Sequence, residues 1–228
     1  MVEADCEVTT GLRIDNVVQY WADHRGWIGM DDPKSGRGVA EVVALIVARM
    51  EALILEHGQP MPGAMAAIQY VASLKHSSNT TSSSRIKLGL VSSSPKILIQ
   101  ASLQALGITD YLDVIASGED EEYGKPHPAV YLTAATHLGV APTRCIAIED
   151  SVTGMVAAKA ARMACIVVPI VPAVSLSSST QSHDEHGNQS EDVPAPHEPA
   201  RQFGLADIVL RSLKDLDGTS LHAAVAGA

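Results

Sequence analysis

Aromatic residues are scarce: one Phe, two Trp and five Tyr among 228 residues, 4% in all. Apolar residues still make up 46% of the chain, so a core must be built from Val, Ile, Leu and Ala, the material of helices and parallel sheets. Cysteine is scarce too. Cys6, Cys145 and Cys165 form no C-x-x-C pair, and an odd count argues against a disulfide framework and for a reducing, cytoplasmic setting. Positive charge is outnumbered, with 16 Lys and Arg against 26 Asp and Glu, a formal net charge of −10. Such a surface repels a nucleic-acid backbone or an anionic membrane, so neither is expected as a partner. A small phosphorylated substrate remains compatible where a metal and one or two cations are local. No apolar run approaches the length that spans a bilayer, and residues 1–11 carry acidic side chains with no apolar stretch, unlike a secretory signal or a transit peptide.

The length suits one ordinary domain with a smaller attached module. Ile14, Val17, Val18 and Trp21 recur at helical spacing, as do Val39, Val42, Val43, Ile46, Met50, Leu53 and Ile54, which predicts a small helical module over residues 1–60. Pro62 and Gly63 break that pattern, and a further helix is expected over 64–75. From residue 85 the pattern changes class. Short apolar strands at 86–91, 114–116, 145–148, 164–168 and 208–210 alternate with helices at 95–106, 129–138 and 152–160. That alternation predicts an α/β domain over 61–228 with a doubly wound parallel sheet. Residues 76–84 read as a polar loop and 174–200 as a disordered polar insertion. His183 and His186, in the order H-D-E-H, have a spacing that could hold a metal, although a polar loop explains the same residues.

Three stretches carry chemistry. The first strand of the sheet ends in Ser92-Ser93-Ser94-Pro95 and leads directly into a helix. Backbone N–H groups there, with the positive end of the helix dipole and the Ser92 hydroxyl, can cradle a phosphate; serines ahead of a helix also serve as plain N-caps. Lys125 lies in Gly124-Lys125-Pro126-His127-Pro128, where two prolines force an extended approach and fix its position. Its ammonium could neutralise phosphate charge, or it could be a surface lysine beside a rigid turn. Glu149-Asp150-Ser151 follows a buried strand. Adjacent carboxylates at a strand end suit a hard divalent cation such as Mg²⁺, and an N-cap aspartate with a solvated neighbour is the alternative.

Order and spacing bind the three together. Ser92 in L-V-S-S-S-P, Lys125 in G-K-P-H-P-A-V-Y and Glu149-Asp150 in A-I-E-D-S-V-T-G-M-V-A-A-K-A-A resemble the second, third and fourth motifs of the haloacid dehalogenase superfamily. Within it the chain is similar to the members with a small helical cap, β-phosphoglucomutase and the sugar phosphatases acting on 2-deoxyglucose 6-phosphate. The resemblance implies a Rossmann-like core and a Mg²⁺-dependent phosphatase of small sugar phosphates. Ser92 and Ser93 would bind phosphate, Ser92 and Lys125 would serve the chemistry, and Glu149 and Asp150 would hold the metal. The segment Gly11-Leu12-Arg13-Ile14-Asp15 resembles the cap of those phosphatases and makes Arg13 a candidate substrate contact. A phosphomutase on the same core, or a non-catalytic phosphate- and metal-binding relic, are the competing readings.

Members of that superfamily begin with an apolar strand ending in D-x-D-G-T or D-x-D-G-V, whose first aspartate attacks phosphorus. Nothing ahead of Gly11 resembles it. The expectation is therefore a truncated chain, inactive as written, whose first residues fall inside the cap. Asp215-Leu216-Asp217-Gly218-Thr219 has the right letters, but no apolar strand precedes it. The missing strand would lie at the centre of the sheet, between the strands ending at Ser92 and at Glu149. Either those strands close on each other, or two long edges stay unpaired across a gap and the chain is poorly stable.

Overall fold

The computed structural model describes residues 8–25, 38–75, 86–169 and 202–226. The polar stretches at 76–84 and 174–200, with His183 and His186, lie outside the described residues, as does Cys6.

Two helices come first. Helix α1 (Ile14–His24) buries Val18, Trp21 and Ala22, one stripe at helical spacing. Helix α2 (Val39–His57) packs against α1 and against α4 (Lys96–Leu106). No α2 residue is fully buried, and Leu45, Met50, Leu53 and Leu55 are exposed. Helix α3 (Ala64–Leu74) follows, so the helices read from the apolar spacing of residues 14–21, 39–54 and 64–75 are present among the described residues.

The alternating part has the predicted order; two helices match to the residue and no other edge is shifted by more than three residues. Strand β1 (Gly89–Ser92) begins later than the apolar run because its partner β2 (Val114–Ser117) starts only at Val114. Ahead of the ladder, the Leu88 N–H donates to Asp113 Oδ2 at 2.7 Å and the Asp113 N–H donates to the Leu88 carbonyl at 2.7 Å. Pro95 sits just outside α4, in extended conformation at its N-cap, and Gly107 closes that helix with φ +62. Helix α5 (Ala129–Leu138), strand β3 (Ile146–Glu149), helix α6 (Val152–Ala160), strand β4 (Ala164–Val167), strand β5 (Ile208–Val209) and helix α7 (Gly218–Ala226) complete the order.

All strand pairs are parallel, and they fall into two groups: β1 with β2, and β3–β4–β5. Among the described residues β1 and β3 do not pair, so the expectation that these two strands close on each other is not met. Side chains alternate across each group as the pleat requires. Val91, Ala116, Ala147, Cys165 and Val167 join Tyr131, Ala134, Met155 and Ala158 of α5 and α6 on one face. Ile146, Ala164, Ile166 and Ile208 meet Ala67 and Val71 of α3 and Ala224 of α7 on the other, while Leu90 meets Ile99 and Leu103 of α4. The result is a three-layer α/β arrangement in which α5 touches both strands of the first group and also α6. The small residues Gly154, Ala157 and Ala158 let α6 lie close on β3 and β4.

The Asp215–Thr219 stretch runs from a 3₁₀ turn into α7. Residues 213–215 make one 3₁₀ turn, Leu216 is buried, and Asp217 Oδ1 accepts the Ser220 N–H at 2.8 Å as a helix cap. It follows no strand end, in keeping with its poor sequence context. Among the described residues no helix is long and apolar enough to cross a membrane.

Candidate active site at the carboxyl ends of the strands

Parallel strands place the residues that follow them on one edge, and ligands of open α/β sheets bind there. Here β1 delivers Ser92, β2 delivers Ser117 and Gly118, and β3 delivers Glu149, Asp150 and Ser151. The turn over residues 8–12 is inserted among them. Ser93 Oγ donates to the Gly11 carbonyl at 2.7 Å, and Thr153 Oγ1 donates to the Thr10 carbonyl at 3.0 Å. Gly11 has φ +84, and a Cβ on it would lie 2.2 Å from Thr153 Oγ1 and 2.5 Å from Ser151 Oγ. Only glycine fits both the conformation and the space.

Ser92 Oγ accepts the Ser94 N–H at 3.0 Å, an arrangement that folds the loop back on itself and leaves the hydroxyl hydrogen to donate elsewhere. The start of α4 is less open than the sequence suggested. Its first amide, Lys96 N–H, donates to Glu119 Oε2 at 2.9 Å, so a carboxylate already answers that end of the helix dipole. The anion-binding capacity expected here narrows to the 92–94 loop.

Lys125 and Glu149 are buried together, 6% and 8% exposed, with Lys125 Nζ 2.5 Å from Glu149 Oε1. Buried charges persist when paired and hydrogen-bonded, and this pair has further partners. Tyr131 donates its hydroxyl to the same Oε1, its ring centroid is 4.9 Å from Lys125 Nζ, and Ser151 Oγ donates to Oε2 at 3.3 Å. Burial, and after it the Glu149 charge, raises the Tyr131 pKa, so the phenol stays protonated and donates. Asp150 is exposed beside them. Crowding by protein atoms and then the Glu149 carboxylate push its pKa up, which marks a position that would gain from a nearby cation. Ser151 caps α6 by accepting the Gly154 N–H at 3.0 Å.

The acid pair therefore divides. Glu149 is engaged on both oxygens, whereas Asp150 is an exposed residue whose carboxyl is still crowded by protein atoms. Among the described residues no cluster of three His, Cys, Asp or Glu side chains could hold a metal. What the pair offers is one or two carboxylates. That is the donor set with which Mg²⁺ is commonly held when substrate phosphate and water complete its shell.

An open cleft of about 710 Å³ runs from Lys125 to the start of α1, lined by Arg13, Asp15 and Asn16 on one side and Tyr123, Lys125 and His127 on the other. Arg13 is in that wall, but its guanidinium is already engaged. It donates to Asp15 at 2.7 and 3.2 Å, to the Glu121 carbonyl at 3.0 Å and to the Gly118 carbonyl at 3.5 Å. Partial burial raises the Asp15 pKa, but the Arg13 bonds and charge outweigh it and hold the carboxyl below its usual range.

The structure thus brings Lys125, Glu149 and Asp150 to one edge and joins Ser93 to them through Gly11. Glu119 has no site signal in the sequence, because its role depends on a contact between segments far apart in the chain. Tyr131 closes the Lys125 motif and Gly11 opens the segment of Arg13, but neither is given a role of its own by the sequence.

A family model for haloacid dehalogenase-like hydrolases matches residues 5–162. Hexitol phosphatase B of Escherichia coli K12 is 39% identical over 213 residues, 93% of this chain and 78% of that protein. A β-phosphoglucomutase from Clostridium difficile shares the fold with a TM-score of 0.69, covering 99% of this chain and 82% of its own at 22% identity. A haloacid dehalogenase family hydrolase from Deinococcus radiodurans, solved with phosphate and sodium bound, covers 95% of this chain and 78% of its own, with a TM-score of 0.56 and 26% identity. The three motifs and this breadth of match agree: the chain belongs to the haloacid dehalogenase-like hydrolases.

Proposed function

We propose that the protein's site is that of a Mg²⁺-dependent phosphatase of small sugar phosphates, with hexitol phosphates the first class to try, and that these 228 residues supply its phosphate- and metal-binding part. The observation that carries this reading is the buried Lys125–Glu149 pair, with Asp150 beside it, at the strand ends, where Lys125 also lines an open cleft. The identity to hexitol phosphatase B supports the substrate class.

In this reading the Ser92 hydroxyl and the 92–94 loop bind phosphoryl oxygens, and the Lys125 ammonium offsets their charge. Asp150, supported by Glu149, would hold Mg²⁺, which when bound neutralises charge on the transferring phosphoryl group. Residues 1–60 act as a cap over the core at 61–228. Arg13 braces the cap on the carbonyls of Gly118 and Glu121, beside the Asp15 and Asn16 positions that face the sugar across the cleft. The resemblance to the family implies an aspartate that attacks phosphorus and a second that protonates the leaving sugar oxygen. Ser92, Lys125, Glu149 and Asp150 supply neither role, so these 228 residues alone are expected to bind phosphate with Mg²⁺ and not to turn substrate over. A cytoplasmic setting suits such a substrate.

The test is calorimetric titration with MgCl₂ and inorganic phosphate, followed by phosphate-release assays on hexitol and hexose phosphates. Binding that is lost in Lys125→Met and Asp150→Asn supports the reading. A folded chain that binds neither ligand overturns it. Turnover by the chain itself would overturn the inactivity and make Asp15 and Asp215 the first residues to replace.

A further inference from the structure

Tyr131 has no part in the phosphate- and metal-holding roles above, yet it is the most constrained neighbour of the two residues central to them. It stands in the first turn of α5, is 5% exposed, and its ring packs in the cluster formed with Ala116, Ala134, Ala147 and Met155. A phenylalanine would fill that space equally well. The hydroxyl adds a hydrogen bond to Glu149 Oε1, on an oxygen that already has a full cationic partner in Lys125 at 2.5 Å, and a weaker contact in which it accepts from Lys125 Nζ at 3.5 Å.

The opposite side of the carboxylate is also held. Ser151 Oγ lies 3.3 Å from Oε2, and a Cβ added at Gly154 would stand 1.9 Å from that oxygen. Glu149 therefore fits a slot whose one wall is the backbone of α6 and whose other wall is the phenol. Lys125 is fixed by the same group, 3.5 Å from the hydroxyl and over the ring face. Rotation of the carboxylate would carry the ammonium with it.

We propose that Tyr131 is a positioning residue: its hydroxyl, bonded to Glu149 Oε1, sets the orientation of that carboxylate and, through it, the place where the Lys125 ammonium meets a phosphoryl group. This rests on the phosphatase reading, in which Lys125 and Glu149 serve phosphate and metal. Groups that orient a ligand from behind commonly change affinity about 10- to 100-fold when removed.

The experiment compares wild type, Tyr131→Phe, Glu149→Gln and the double variant, using calorimetric titration with inorganic phosphate in MgCl₂ and thermal unfolding of each chain. The expected result is phosphate binding about 10-fold weaker in Tyr131→Phe at a nearly unchanged unfolding midpoint. In the Glu149→Gln background the added loss should nearly vanish, because residues acting through one group are not additive. Wild-type affinity in Tyr131→Phe overturns the inference and leaves the phosphatase reading standing. So does full additivity, which would mean that the tyrosine acts apart from Glu149. A Tyr131→Phe chain that loses its cooperative transition also overturns it, since the hydroxyl would then be holding the fold. A wild-type chain that binds no phosphate overturns both.

Discussion

Lys125 Nζ lies 2.5 Å from Glu149 Oε1, with both side chains less than 8% exposed, at the carboxyl edge of the sheet. Removing one partner leaves an uncompensated buried charge. Lys125→Met should therefore cost about 3–5 kcal/mol of folding stability, and adding Glu149→Gln should restore much of it. Urea unfolding of the two variants checks this, and a Lys125→Met chain as stable as wild type would refute it.

Gly11 presents a different kind of constraint. Its φ is +84, and an alanine Cβ there would stand 2.2 Å from Thr153 Oγ1, so the turn has no room for a side chain. Gly11→Ala should lower stability by more than about 1 kcal/mol and expose the turn over residues 8–12 to limited proteolysis. Gly107→Ala, where an added Cβ meets nothing within 4 Å, is the control and should bear only the conformational penalty of its positive φ.

Asp207 ties β5 to α6 and β4. It accepts from Lys159 Nζ at 2.8 and 3.0 Å and from the Cys165 N–H at 2.7 Å. Burial raises its pKa, but the Lys159 bond, the Cys165 amide and the Lys159 charge together bring it below the usual aspartate value. A folded-state pKa below the unfolded one gives stability that is present above about pH 4 and is lost as pH falls through the folded value. Asp207→Asn should be less stable than wild type at neutral pH and lose less on acidification, as read by thermal unfolding from about pH 7 to about pH 2.

Cys165 is fully buried in β4, and burial, with the Glu149 charge next, pushes its thiol up to about 12. Thiolate is the reactive form, so iodoacetamide at about pH 8 should leave Cys165 unmodified in the native chain and label it only on unfolding. Mass spectrometry of the labelled peptides decides this.

Much of the fold is legible in the sequence because its signals are local. The helical stripe of Val18 and Trp21 and the short Val-Ile-Ala strands follow from period and composition. Lys125 and Glu149-Asp150 can be picked out because prolines and a strand end fix where their side chains go. The less legible features depend on distant segments meeting. Glu119, on the turn after β2, occupies the first amide of α4 and so narrows the expected phosphate cradle. Arg13 faces the cleft as its position suggests, but Asp15 and two distant carbonyls already engage it. Tyr131 stands in the sequence as the last letter of the Lys125 motif, with no role of its own. Only the turn through Pro126 and Pro128 brings its hydroxyl back toward Lys125.

The division of the sheet also has a mechanical meaning. Among the described residues, no strand hydrogen bond joins β1–β2 to β3–β4–β5, whereas α5 touches β1, β2 and α6. Under a pulling force the molecule should part along that seam, by sliding Val91 and Ala116 away from Ala147 and Met155, before any ladder within either group begins to tear. Apolar contact there is non-directional, but the seam is also pinned where Lys125 and Tyr131 of the first half bind Glu149 of the second. The two halves would therefore hold until that buried cluster lets go and only then slide, so the site itself is the latch between them.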